Sequence, residues 1–259
     1  MKTLLLNESK DVLNVVMNRP DVRNAFSALM VQELTDVFRQ AGTRSDLRAL
    51  CLRGEGKVFC AGADMAYMQE MVNSSFEKNQ EDSQVLHGMF EALYQCPLPV
   101  VARVQGAAFG GALGLVACSD IVVAEEKTQF CFSEVKLGLA PAVISDFVLR
   151  KTSLGFVAPL MLTGRVFSSG EAMAAGLVHH AVAADQLETS VDRVLHHLRE
   201  AGTEAVRETK KLIQKIPTLT RAQTLVETSK VIAQRRASVE GQEGLKSFLE
   251  KRAPRWRPS

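Results

Sequence analysis

The stretch that decides the fold is VVARVQGAAFGGALGLVACSDIVVA, residues 100–124. Its two apolar ends, Val100–Val104 and Ile121–Ala124, are rich in β-branched residues and bounded by turn signals, which predicts strands. Between them, a turn at Gly106 leads into an alanine- and glycine-rich segment, Gly110–Cys118, that predicts a helix. A helical crossover between two strands indicates that the strands are parallel, so the sequence predicts an α/β fold.

The same alternation continues on both sides of this stretch. Upstream, Val12–Met17 and Leu47–Leu52 predict strands, and Ala28–Gln40 predicts a helix with Ser27 as its N-cap and Gly42 as its C-terminal glycine. From Pro141 onward the pattern is helical. The other predicted helices are 76–95, 187–200, 204–216, 222–234 and a last one that carries Leu245, Phe248 and Leu249.

Composition limits the class of protein. A chain of 259 residues with 46% hydrophobic residues forms one large domain, or a core with an appended segment. The net charge of +2 gives no indication of a nucleic-acid or membrane partner, and we find no apolar stretch long enough for a membrane span. Five scattered cysteines without a CxxC pair, and an N-terminus that does not resemble a signal peptide, predict a cytoplasmic protein with reduced thiols.

Two glycine-bearing turns have the composition of an anion site. They are FCAGAD, Phe59–Asp64, and FGGALG, Phe109–Gly114. Gly111 opens a predicted helix, where unpaired N–H groups favour an anion, and the amide of Ala63 follows a glycine just after a strand. Two such N–H donors would stabilise the charge that develops on a thioester oxygen, so we expect them to form an oxyanion hole.

A single carboxylate follows the second turn, at Glu134 in SEVKLG, Ser133–Gly138. Its neighbours are partly apolar: Cys131, Phe132, Val135 and Leu137. An apolar setting raises the pKa of a carboxyl group toward neutral pH, which suits a group that transfers protons. The alternative is an ordinary surface glutamate.

The residues give little support for a metal site or a nucleotide-binding site. The histidine pairs His179-His180 and His196-His197 are adjacent in sequence and so point to different faces, which does not make a metal clamp. Neither a GxxxxGK[ST] loop nor a GxGxxG turn after a strand occurs. We therefore predict neither a metal site nor a cofactor.

Several motifs in a fixed order resemble the crotonase (enoyl-CoA hydratase/isomerase) superfamily. They are NRPDVRNA at 18–25, FCAGAD, QGAAFGGALGLVACSDI at 105–121 and SEVKLGLAP at 133–141. The resemblance covers about residues 10–181, and the ending FLEKR at 248–252 extends it. It implies a spiral of ββα units over residues 1–200, a C-terminal helical trimerisation region over 201–259, a homotrimer or dimer of trimers, and an acyl-CoA substrate.

The resemblance also assigns site residues by position. The oxyanion-hole amides fall on Ala63 and Gly111, and Glu134 falls where hydratases keep their proton-transferring carboxylate. The residues implied to contact CoA are Arg23, Ala25, Ala61, Asp64, Met65, Phe248 and Lys251. For Lys251, a lysine suits a phosphate as a point charge, although a solvated surface lysine is an equal alternative.

The chain departs from the family at Gly114, where typical hydratases carry a second glutamate. Either the glycine makes room for a branched or carboxylated acyl chain, or the enzyme uses one carboxylate, as in double-bond isomerisation. SEVKLGLAPAVIS, residues 133–145, looks closest to the methylglutaconyl-CoA and isohexenylglutaconyl-CoA hydratase branch. Asp146 is a possible substitute acid, against the alternative that it only stabilises a helix start.

Three functions follow from these observations. The first is a lyase that adds water to an α,β-unsaturated acyl-CoA. The second is an enoyl-CoA isomerase. The third belongs to another class, a catalytically weak paralogue that binds acyl-CoA or RNA; RNA would require a basic stripe, and only the tail from Lys251 is locally basic.

Overall fold

A computed structural model describes residues 1–257 of the chain. The strands form a sheet of six and a sheet of three. In chain order they are β1 (Leu4–Ser9), β2 (Val12–Met17), β3 (Ala49–Gly54), β4 (Val100–Val104), β5 (Ala107–Phe109), β6 (Ile121–Glu125), β7 (Gln129–Cys131), β8 (Phe167–Ser168) and β9 (His180–Val182).

The large sheet has the order β1-β2-β3-β4-β6-β9 and the small sheet the order β5-β7-β8. From β2 to β9 all neighbours in the large sheet are parallel, as the sequence predicts, and only the β1–β2 hairpin is antiparallel. The small sheet joins β5 and β7 in parallel and β8 antiparallel to β7.

Helices follow many of the strands, and after β9 the described elements are all helical. In order they are α1 (Ala28–Thr43), α2 (Met65–Val72), α3 (Phe76–Tyr94), α4 (Ala112–Cys118), α5 (Ala142–Lys151), α6 (Leu154–Thr163), α7 (Ser169–Ala174), α8 (Leu187–Glu200), α9 (Thr203–Lys215), α10 (Arg221–Ala237) and α11 (Val239–Leu249). None of the helices within residues 1–257 combines the length and hydrophobicity that a membrane span requires.

Successive segments of the chain contribute strands to both sheets. β4 and β6 lie in the large sheet, and the short strands β5 and β7 that follow them lie in the small one. α4 connects β5 back to β6, which gives the repeated ββα turn of the predicted spiral. The small sheet thereby sits at one end of the large sheet, where the glycine turns are.

The large sheet is covered on both faces. Along β4, Val100, Ala102 and Val104 face the main core, while Val101 packs on the other side with residues of α8 such as Val191. This alternation is the period-two pattern of a strand buried on both faces.

The last three helices are partly anchored and partly exposed. On α9, the buried Lys210 ammonium donates to Asp120 at 2.6 Å and to the Leu98 carbonyl at 3.0 Å, which fixes this helix on the core. Beyond it, large apolar side chains face outward, as the predicted stripe requires: Leu225, Val226, Ile232, Leu245, Phe248 and Leu249. The division of the chain at residue 200 stays a prediction.

Gly42 does not end its helix, which corrects the prediction. α1 continues to Thr43, and Arg44 is its extended C-cap. A β-carbon at Gly42 would lie 3.0 Å from Pro97 Cδ, so the glycine serves a close approach to the chain before β4. Likewise, the helix predicted to start at Gly110 starts at Ala112.

Candidate active site

The two glycine-bearing turns lie against each other. The Cys60 N–H donates to the Ala107 carbonyl at 3.2 Å, and the Phe109 N–H donates to the Cys60 carbonyl at 3.1 Å. At Gly62, where φ is +93°, a β-carbon would lie 3.0 Å from the Phe109 oxygen, so only glycine permits this contact. The sequence-distant turns are therefore joined at the end of β5.

The amides of Ala63 and Gly111 at this junction are free. Within residues 1–257, the N–H groups of Ala63 and Gly111 donate to no backbone or side-chain acceptor. Of the adjacent amides, Gly110 donates to the Cys131 carbonyl and Asp64 to the Phe26 carbonyl, both at 2.9 Å, whereas Gly62 and Ala112 also have no acceptor within residues 1–257. Unpaired, half-buried N–H groups favour an anion as partner.

Glu134 is brought to the same junction by a short 3-10 helix, Ser133–Leu137, which ends at Gly138 with φ +73°. A β-carbon at Gly110 would lie 3.4 Å from Glu134 Oε1. Because residue 110 is a glycine with φ +54°, the carboxylate can lie over the turn beside Gly111.

The carboxyl group of Glu134 is set up for proton transfer. Its Oε2 is buried and has no hydrogen-bond partner among the described residues. Burial raises the pKa of Glu134 above its ordinary value of 4.5, and the opposing effect of its own backbone N–H is smaller. The predicted apolar setting of Glu134 is therefore present. A carboxylate with a raised pKa accepts and returns a proton more readily near neutral pH.

The space beside Gly114 is filled by hydrocarbon. A β-carbon at this position would lie 2.6 Å from Ile144 Cγ2 and 2.6 Å from Phe90 Cε1, and both side chains are buried. The Phe90 ring also contacts Phe26, edge to face, at 6.4 Å between centroids. The expectation that Gly114 makes room for an acyl chain is therefore wrong in this structure, because core side chains occupy that room.

Asp146 does not replace the missing acid. It lies in the second turn of α5, not the first, its side chain is 56% exposed, and both of its oxygens accept from Arg150 Nε at 2.9–3.0 Å. This geometry is an i,i+4 ion pair on a helix surface. Among residues 1–257, Glu134 is the carboxylate that approaches Gly110.

The residues predicted to contact CoA near the N-terminus are adjacent to the junction. The Ala61 N–H donates to the Arg23 carbonyl at 3.0 Å, and Phe26 and Ala63 form a parallel bridge. Arg23 itself is exposed and has φ +56°, whereas Ala25 is buried. Arg23, Ala61 and Ala63 therefore belong to one local surface, whereas the Ala25 side chain is buried.

Asp64 and Met65 take different positions. Asp64 accepts the Tyr67 N–H at 2.8 Å as the N-cap of α2 and pairs with Arg19 at 2.8 Å, so its carboxylate is already engaged. Met65, the first residue of α2, is 78% exposed and is available to a ligand.

Phe248 and Lys251 lie at the far end of the chain. Phe248 is 81% exposed on α11, and Lys251 follows that helix with φ +54°. Among residues 1–257, neither forms a hydrogen bond with the surface around Arg23 and Ala61. The helices that α11 packs against most are α9 and α10, and the assignment of Phe248 and Lys251 to the CoA site stays a prediction.

Two residues of the NRPDVRNA motif, to which the sequence analysis assigns no structural role, hold this surface in place. Asn24 is fully buried with φ +55°; its amide donates to the carbonyls of Glu55 and Val58 at 2.9 and 2.8 Å, and its oxygen accepts the Arg19 N–H at 2.9 Å. Arg19 in turn donates to the Ala25 carbonyl at 2.6 Å. Asparagine tolerates the left-handed region better than most residues, which fits this residue type at a position with φ +55°.

Comparison with known proteins identifies the family of the chain. The family model described as Enoyl-CoA hydratase/isomerase matches residues 7–259. The enoyl-CoA hydratase domain-containing protein 3, mitochondrial, of Xenopus laevis is 30% identical, with 97% of this chain and 85% of that protein aligned.

Two solved structures resemble the whole chain. An enoyl-CoA hydratase from Shewanella pealeana is 37% identical with a TM-score of 0.93, covering 98% of this chain and 96% of that one. An enoyl-CoA hydratase/isomerase from Marinobacter aquaeolei is 31% identical with a TM-score of 0.95, covering 100% of both. With the fold, the joined glycine turns and Glu134 in place, this chain belongs to the enoyl-CoA hydratase/isomerase family and has the crotonase fold.

Proposed function

We propose that the protein is a lyase that adds water to an α,β-unsaturated acyl-CoA, with the free amides of Ala63 and Gly111 as an oxyanion hole and Glu134 as the proton carrier. The observation that carries the proposal is the junction itself, where two unpaired N–H groups and one unpartnered buried carboxylate oxygen surround the same turn. Each donor to an oxyanion contributes roughly 3–4 kcal/mol to transition-state stabilisation.

One carboxylate is enough for this addition. Ionised Glu134 takes a proton from water while the water oxygen forms a bond to the β-carbon, and the electron pair of the double bond moves to the thioester oxygen. The amides of Ala63 and Gly111 hold that oxyanion. Protonated Glu134 then gives its proton to the α-carbon, and the thioester carbonyl re-forms.

Enoyl-CoA isomerisation is the second candidate, and the wall beside Gly114 favours it. Phe90 and Ile144 present only carbon atoms where a second acid would orient water. A single base that removes a proton from the α-carbon of a 3-enoyl thioester and returns it to the γ-carbon needs no such group. Both reactions pass through a thioester enolate, so the same amides serve either one.

Turnover of 2-enoyl and 3-enoyl thioesters separates the hydratase from the isomerase. We expect the wild type to consume the conjugated thioester absorbance of crotonyl-CoA or 3-methylglutaconyl-CoA, and Glu134→Gln to lose at least about 100-fold in kcat while binding CoA thioesters normally. Glu126→Gln, at an exposed position, is the matched control. Conversion of a 3-enoyl-CoA without hydration would favour the isomerase, and retained CoA affinity without any turnover would favour the binding paralogue.

Assembly through the C-terminal helices belongs to the same proposal, as a homotrimer or dimer of trimers. The outward apolar side chains of α10 and α11, including Leu225 and Phe248, support it, because such surfaces are commonly buried between subunits. It also explains how Phe248 and Lys251 reach CoA, across a subunit boundary. Light scattering after gel filtration tests the mass; a monomer would contradict this part.

The cytoplasm is the compartment that we propose. All five cysteines are free and buried, which supports a protein that keeps reduced thiols.

A further inference from the structure

Ser133 lies beside Glu134 and faces the same glycine. A β-carbon at Gly110 would lie 3.3 Å from Ser133 Oγ and 3.4 Å from Glu134 Oε1. Both oxygens therefore approach the same side of Gly110, where a side chain would be in tight contact with them. The junction thus has a hydroxyl group in addition to the carboxylate.

The Ser133 hydroxyl is also free. Among residues 1–257 it forms no hydrogen bond, although the residue is half-buried and opens a 3-10 helix. By contrast, the hydroxyl of Ser145 on α5 donates to the Pro141 carbonyl at 2.7 Å, and that of Ser119 to the Leu115 carbonyl at 2.8 Å. A hydroxyl without a partner beside a carboxylate whose Oε2 has no partner provides two sites that one water molecule can bridge.

We propose that Ser133 positions the reacting water against Glu134, in a site that has no second carboxylate; this rests on the proposed hydration. A water that attacks the β-carbon gives one proton to Glu134, and its second O–H must be held so that a lone pair points at the carbon. The Ser133 oxygen accepts that second O–H. The water forms its C–O bond and loses one proton to Glu134, and the serine keeps its own proton throughout.

Other groups near the junction do not fill this role. Phe90 and Ile144 offer no hydrogen-bonding atom on the Gly114 side. The Cys131 thiol points at the Gly164 carbonyl at 3.1 Å, and burial raises its pKa, so it stays protonated and engaged. Asp146 is paired with Arg150 at the surface.

The test separates water positioning from the proton transfer that Glu134 performs alone. Hydration is measured as kcat and KM with the enoyl-CoA that the wild type accepts, and proton transfer as deuterium uptake at the α-carbon of butyryl-CoA in D2O. We expect Ser133→Ala to lose about 10- to 100-fold in hydration kcat, the worth of one hydrogen bond to a reacting group, with KM and deuterium uptake within about twofold of wild type. Ser133→Thr keeps the hydroxyl and restores hydration, and Ser145→Ala is the control.

Three results overturn the proposal in distinguishable ways. If the wild type hydrates and Ser133→Ala hydrates equally well, Ser133 has no such role while the proposed function stands. If the wild type takes up deuterium but hydrates no enoyl-CoA, both the hydration and the role of Ser133 fail. A parallel loss of hydration and deuterium uptake in Ser133→Ala also overturns it, since that indicates a structural role.

Discussion

Adding one methyl group at Gly114 is the sharpest perturbation of the wall beside the site. In Gly114→Ala, the new β-carbon would meet Ile144 Cγ2 and Phe90 Cε1 at 2.6 Å and Phe90 Cζ at 2.8 Å. These are well inside van der Waals contact, and all of the side chains concerned are buried. The surrounding core must therefore shift to accept the variant.

The expected change in the free energy of unfolding follows from two opposing effects. Overpacking a close-packed core costs about 1–3 kcal/mol, and two contacts at 2.6 Å correspond to the upper part of that range. Replacing glycine by alanine inside α4 returns up to about 1 kcal/mol of helix propensity. We expect Gly114→Ala to be about 2 kcal/mol less stable, or about 4–8 °C lower in Tm for a chain of this length.

Thermal and urea unfolding at one protein concentration measure this change. Gly88→Ala is the matched control, because Gly88 is also inside a helix but has no heavy atom within 4 Å of its would-be β-carbon. It should gain stability, by up to about 1 kcal/mol. Phe90→Leu in the Gly114→Ala background removes the clashing ring atoms, so the double variant should be at least about 1 kcal/mol more stable than the sum of the single effects.

Equal stability of Gly114→Ala and wild type, together with additive effects in the double variant, would refute the claim that Phe90 and Ile144 fill this space. The glycine would then face free volume, and the acyl-chain explanation would return.

Four further predictions concern protonation, the N-terminal surface and CoA affinity. Because burial raises the pKa of Glu134 and the base form is needed, kcat/KM should fall as pH drops through a value above 4.5; a limb at 4.5 or below would contradict this. His179 is neutral and accepts the Val122 N–H at 2.9 Å, and burial, with the nearby Lys151 charge, lowers its pKa from 6.5 to about 4. Its contribution to stability is thus complete above pH 6.5 and lost as pH falls toward 4, so His179→Gln should lose less stability between pH 7 and 5 than wild type, and equal slopes would argue against it. Asn24→Ala leaves three backbone groups without partners and should cost about 3 kcal/mol or more in urea unfolding, against a negligible change for the exposed Asn7→Ala. Lys251→Met should raise KM for CoA thioesters about 3- to 10-fold with kcat unchanged; an unchanged KM would remove Lys251 from the site.

Long, strongly patterned elements could be predicted from the sequence alone. Val12–Met17, Val100–Val104 and Leu187–Glu200 have the bounds that the sequence predicts. Their patterns span five residues or more, so local side-chain periodicity determines them.

Short elements could not be predicted in this way. β5, β7 and β8 have two or three residues each, too few for a period, and they exist because Ala107–Phe109 meets Gln129–Cys131 across the chain. The role of Gly42 cannot be predicted for a similar reason, since this glycine permits a close contact with Pro97, which is distant in sequence.

The same distinction between local pattern and distant contact applies to the candidate site. The motifs located Ala63, Gly111 and Glu134, and the structure brings their turns together. The wall of Phe90 and Ile144 and the hydroxyl of Ser133 depend on which distant residues face a glycine, and spacing carries no information on that.

The central claim is that the amides of Ala63 and Gly111 bind one thioester oxygen beside Glu134. A crystal structure of the Glu134→Gln variant with a bound enoyl-CoA tests it most directly. We predict the carbonyl oxygen within about 2.7–3.1 Å of both amide nitrogens, with the substituted side chain at position 134 next to the α-carbon. A thioester oxygen bound to neither amide would contradict the account.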